Sequence, residues 1–458
     1  MLRKVGRFLF SPIRHWRITL TIVIGLAIAY KVADQVLLGK LAAQRESILA
    51  AGGHLSLRDF DLKIDEGTNA AVVYEYAASL AHGYAGPPAK ETEDARSKWE
   101  DAYGRYIGAS GCAQLPTPEE EARLGNFFAA NARVFEAIEE ACARPSCQFG
   151  EYDAPPEILS DPGAVSAVLL PKLAPIRELA RLSAFRAVWE GRHGNPAGAY
   201  HWLTVGLHLA NDTNNDPLSV AGLVGTAGKS TMVRALNVLL CELPLPDPVP
   251  ADFMAELAVA ADRSKTGIFF EGERCFADTI TSYYKGMFPR PLLVLNQMAC
   301  LDLETEAVNI MREQDDQLHA RQVARFSAEV GPAGHKSSTK PGFVASFLVQ
   351  HRILADILRP ALGGAMITFD KGIGMARAGQ VAVALKQYKQ ARGEYPADLA
   401  ALAPDYLQNI PADPFTGSPP IYRREGDGFV VYSVGADGRD DGGEWEDRKK
   451  DLGLSSSI

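Results

Sequence analysis

Several familiar chemical signatures are missing from this chain of 458 residues. It has no C-x-x-C pair, which removes the sequence support for zinc ribbons and thioredoxin-like redox centres. It has no H-E-x-x-H to set two imidazoles on one helix face, and no G-x-S-x-G to mark a hydrolase nucleophile turn. Acid is absent from the first 17 residues, which carry Arg3, Lys4, Arg7, Arg14 and Arg17. The rest of the chain is therefore more acidic than the formal charge of -9 implies. An acidic body is a poor partner for nucleic acid. Nothing in the composition suggests disorder: 47% of residues are apolar and 22% charged, and the length admits about two or three domains.

What is present begins with ITLTIVIGLAIAY, Ile18–Tyr30, a run without charge. KVADQVLLG follows and stays mostly apolar apart from Lys31, Asp34 and Gln35. Residues 18–38 together have about the length that crosses a bilayer. Lys31 can snorkel to the interface or pair with Asp34 one turn on. The basic residues ahead of the span predict a cytoplasmic N-terminus and an exported body, as in a single-pass inner-membrane protein. A cleaved signal peptide, though no small-x-small cleavage site follows promptly, and a buried soluble helix are the other readings. Of the six cysteines, Cys142 is expected to bridge Cys147, or Cys112 to bridge Cys147, with buried free thiols as the alternative.

From Lys40 to Pro360 apolar residues recur at steps of three and four, which predicts a helical domain over residues 39–359. Residues 122–143 read as one amphipathic helix, and 171–211 as two antiparallel helices joined at Gly194–Pro196. With Trp189, Gly194, Ala197 and Tyr200 near the joint, the pair is similar to one tetratricopeptide-like unit, though no second copy follows at a period near 34.

GLVGTAGKST, residues 222–231, looks at first like a phosphate loop. The position five before Gly228 is Leu223 rather than glycine, and the preceding HLANDTNND forms turns rather than a buried strand. A packed glycine-bearing helix, capped by Asp216 and opened by Pro217, is the better reading, and no nucleotide is expected. Ser337–Lys340 matches S-x-x-K and Lys265–Gly267 matches K-T-G, but in the reverse of the order used by penicillin-recognising enzymes, with no S-D-N between them. His193, His201 and His208 lack metal-ligand spacing on a helix.

The last hundred residues change texture. ALKQYKQARGEYP closes a helix near Arg392, a short helical segment is expected from Asp398, and after NIPADPFTGSPP the runs IYRR and FVVYSV flank EGDG as a hairpin. GADGRDDGGEWED follows as an acidic, glycine-rich loop. Residues 376–443 resemble the globular domain of the major pseudopilin of type II secretion systems. That resemblance implies a small α+β module over 360–458 and a structural calcium held by Asp437, Asp440 and Asp441 with the Val434 carbonyl. A pseudopilin carries its membrane helix immediately before this module, whereas here more than 300 residues intervene. The layout as a whole, including DEGTNAAVVYEYA at 65–77, resembles a group of membrane-anchored bacterial envelope proteins.

The expected fold is thus mainly α: a basic stub over 1–17, a transmembrane anchor over 18–38, a helical domain over 39–359 and the pseudopilin-like module. The expected partners are the lipid bilayer, through residues 18–38, and another envelope protein. The expected role is binding rather than catalysis, with an exported hydrolase as the alternative.

Overall fold

A computed structural model describes residues 12–83, 117–283, 286, 289–328, 353–443 and 452–455. Helices dominate: α1 (Pro12–Ala50), α2 (Ala70–Gly83), α3 (Pro118–Ala130), α4 (Ala132–Cys142), the one-turn α5 (Pro156–Leu159), α6 (Pro162–Arg192) and α7 (Pro196–Asp212). They continue as α8 (Ser219–Glu242), α9 (Ala251–Ala261), α10 (Gly267–Tyr283), α11 (Arg290–Arg312), α12 (Asp316–Ala328) and α13 (Ile353–Arg392). Local chemistry explains many of the starts. Pro118, Pro162 and Pro196 stand in first turns, where a missing N–H costs no helical bond. Thr117 and Glu120 form a reciprocal capping box, and Asp161 and Asn195 cap the helices that follow them.

The joint expected at Gly194–Pro196 is present: Gly194 turns the chain at φ 78° and α6 packs along α7 as a helical hairpin. The single helix expected over 122–143 is instead two, broken at Asn131, whose side-chain amide donates to the Phe127 carbonyl at 2.8 Å. Asp216 does not cap a helix either. Its carboxylate is buried and accepts from the Phe149 N–H (3.0 Å), the Gly150 N–H (2.7 Å) and the Tyr152 hydroxyl (3.0 Å), so α8 starts three residues later. Three donors from one loop outweigh the single bond a cap would give.

Three strands, β1 (Ile421–Glu425), β2 (Gly428–Ser433) and β3 (Leu452–Ser455), form an antiparallel sheet in chain order. Ile421 faces Tyr432 and Glu425 faces Gly428 across the expected hairpin, with Gly426 at φ 59° in the turn. The third strand was not part of the hairpin expectation. It pairs Val430 with Ser455 and is tied to α8, where the Asn237 side chain accepts from the Ser455 N–H at 3.0 Å.

Two apolar cores result. One joins α2–α9, the later part of α13 and the sheet, with Phe429, Val431 and Leu454 in the same cluster as Leu236 and Leu385. The other joins the later part of α1 to α10–α12 and the start of α13, around Leu41, Phe270, Leu301 and Phe369. At about 1.5 Å per residue, α13 is roughly 60 Å long and belongs to both. It crosses residue 360, where the sequence set its boundary, without a break.

Candidate functional site

The residues expected to hold calcium lie in the loop after β2. Asp437 accepts from the Arg439 N–H at 3.1 Å. Asp440 accepts from the Tyr432 hydroxyl (2.7 Å) and the Gly442 N–H (2.9 Å), and these bonds, the tyrosine's first, hold its carboxyl below the usual range. Val434 donates its N–H to Asp413 at 3.1 Å. The two aspartates therefore act as turn acceptors, and among the described residues no three His, Cys, Asp or Glu side chains converge as metal ligands. The residue that organises this end is Asp413, which sequence reasoning passed over. Buried, and pushed up by that burial, it accepts from Ser433 Oγ (2.9 Å), Val434 N and Phe415 N. Its signal in the sequence is an aspartate just before a proline, a turn former with three acceptor positions to fill.

GLVGTAGKST lies within α8. A Cβ on Gly222 would stand 2.5 Å from the Phe269 ring, one on Gly225 2.8 Å from the Ala210 carbonyl, and one on Gly228 2.9 Å from the Ala210 methyl. The glycines let neighbouring helices close in, which offsets their low helix propensity. Lys229 is buried and donates to Asn214 Oδ1 at 3.0 Å; burial lowers its ammonium to about 8. The Ser337–Lys340 segment and Cys112 lie outside the described residues.

A second group draws together two residues that the sequence singled out separately, Cys142 and His208, with others that it did not. Tyr74 donates to Asp212 Oδ2 at 2.8 Å and lies 3.3 Å from Cys142 Sγ. His208 stands 3.8 Å from the same carboxylate and donates from Nδ1 to Glu256 at 2.7 Å. Burial raises Asp212 to about 6, while the bond to Glu256 raises His208. Cys142 and Cys147 are free thiols rather than a bridge. Burial pushes Cys142 to about 12 and raises Cys147 as well, so neither supplies a thiolate at neutral pH. His201 pairs elsewhere, with Glu139 at 2.6 Å.

The third feature is the seam under α1. Residues 18–50 form a helix long and apolar enough to cross a membrane, with only 6% of its most apolar window buried. From Ile18 to Val32 the large apolar side chains are exposed. At Asp34 contacts begin, and they recur along one helix face: Asp34, Leu37 and Leu38, Leu41, Gln44 and Arg45, Ile48. Asp34 meets Arg290 at 3.6 Å rather than Lys31, one of the two roles the sequence offered that lysine. Gln44 donates to the Met298 carbonyl (3.0 Å) and Asp302 (2.6 Å), and Arg45 pairs with buried Asp278 at 2.7 Å. Just past the helix, His54 donates to buried Glu271 at 2.6 Å, and Arg312 reaches the same carboxylate. This seam was legible in principle, since its members repeat at three and four; the polar ones read instead as interruptions of the span.

No protein-family model matches the chain, and neither the curated proteins nor the solved structures contain a match to it.

Proposed function

We propose that this is a single-pass membrane-anchored envelope protein that holds its helical body at a fixed attitude on the bilayer and acts through contacts with another protein. One observation carries the reading: α1 passes unbroken from an exposed apolar half into a half clamped to α11 and α10 by Asp34, Gln44 and Arg45. A flexible linker lets a domain range over many orientations; a docked continuous helix fixes one. The basic residues before the span support a cytoplasmic N-terminus and an exported body. A hydrolytic role has less support, because Cys142 stays protonated and Asp212 is enclosed by Tyr74 and its neighbours.

The test uses the full chain in native membranes. Alkaline washing is expected to leave it in the pellet, and a bismaleimide is expected to join Gln44→Cys to Asp302→Cys but neither single variant to itself. Release by the wash, or no cross-link in the double variant, overturns the reading. Association with a secretion pseudopilus is the narrower form of this proposal, supported by residues 376–443. It fails if the anchored chain does not bind purified major pseudopilin at high micromolar concentration.

A further inference from the structure

A cleft of about 480 Å³ opens between α6 and α8, away from the seam, the cap loop and the Asp212 group. Its origin is local. Pro171 and Pro175 both lie inside α6, and each removes one helical hydrogen bond and crowds the preceding turn. On the facing stretch of α8 the side chains shrink to Ala227 and Gly228. Gly228 lets α8 run close to α6, a Cβ there standing 3.4 Å from the Ala180 methyl, and the recess opens beside that contact.

The recess has two chemically distinct parts. Leu170, Leu173, Ala174 and Val224 form an aliphatic wall, and no aromatic ring among the described residues lines it. Arg177 and Arg181 stand along the same wall. Glu178 answers Arg181 at 2.8 Å, whereas the exposed Arg177 faces no carboxylate among the described residues. Among the described residues the cleft thus carries one more guanidinium than carboxylate. The size lies within the ordinary span of small-molecule sites, roughly 300–1,000 Å³.

We propose that the cleft binds a single-chain amphipathic monoanion, an aliphatic carboxylate with its head on Arg177 and its chain along Leu170, Leu173 and Val224. An aliphatic wall without aromatic rings favours a flexible chain over a planar ring system, which would stack on aromatic side chains. A single uncompensated guanidinium favours one negative charge, and its planar fork matches a carboxylate. The inference does not depend on the anchor.

The experiment is photolabelling of the full chain in nanodiscs with a diazirine-bearing dodecanoate, followed by peptide mapping. Adducts are expected on residues 170–174 or 224–231, competed by dodecanoate but not by dodecanol. Arg177→Ala, a change at an exposed position, should weaken competition about tenfold, the loss of one charge-assisted hydrogen bond. Ala227→Trp should abolish the adducts by filling the recess while leaving the melting curve in place. Adducts confined to α1, equal competition by the alcohol, or labelling unchanged in Arg177→Ala each overturn the assignment. Should Ala227→Trp unfold, Arg177→Ala alone decides.

Discussion

Asp216 shows how much one side chain can organise. It fixes the loop at 149–152 from 64 or more positions away, and Tyr152 and Phe149 are buried as a result. Burial raises Asp216 and Asp212 each to about 6, against an ordinary value of 3.8. A carboxyl raised on folding binds its proton more tightly in the native state. Its contribution is therefore fully present below the unfolded value and declines as pH rises through the folded one. Each group thus opposes folding by on the order of 3 kcal/mol above pH 6. His208, also raised, has the same sign but acts from its ordinary 6.5 upward. Urea midpoints taken from pH 4 to 7 should show Asp212→Asn gaining on the wild type as pH rises. For Asp216→Ala the lost bonds dominate, and a destabilisation of roughly 3 kcal/mol or more is expected at neutral pH, read from the same curves.

Helices carry the next level of organisation. In an open helix, replacing glycine with alanine gains about 1 kcal/mol from propensity. At Gly225 the added methyl would meet Thr213 and the Ala210 carbonyl, which is backbone and cannot swing aside. Gly225→Ala should therefore destabilise by roughly 1–3 kcal/mol in urea unfolding, reversing the propensity gain. Gly364 on α13, with nothing near its Cβ direction, serves as the control and should gain stability on the same change. Glycine pattern and helix were both readable in 216–240. Which glycines touch a neighbour was not, because Ala210 and Phe269 reach α8 from other helices.

At the scale of the molecule, α1 and α13 each serve two environments. The exposed part of α1 is apolar enough to cross a membrane and the later part packs on the body, so truncations should separate them. A chain lacking residues 1–33 keeps Leu41 and Ile48 and should unfold cooperatively without detergent. A chain lacking 1–50 loses both from the second core, a cost of roughly 3–6 kcal/mol, and also loses Arg45 from buried Asp278. Thermal melts of the two chains test this directly; equal midpoints would mean that the later half of α1 adds nothing to the body. The sheet module is similarly shared, since α13 buries Val381, Ala384 and Leu385 in the core that holds α8.

By itself, the sequence determined the mainly helical class, the N-terminal apolar helix, the Gly194 joint and the β1–β2 hairpin. All four rest on periodicity, capping and turn chemistry acting within a few residues. Tertiary structure alone decided that Asp34 meets Arg290, that Asp216 gathers a distant loop, that β3 completes the sheet and that a cleft opens beside two prolines. Those outcomes depend on partners remote along the chain, Gln44 and Asp302 being 258 residues apart, and no local pattern records which of many acidic residues a given donor will reach.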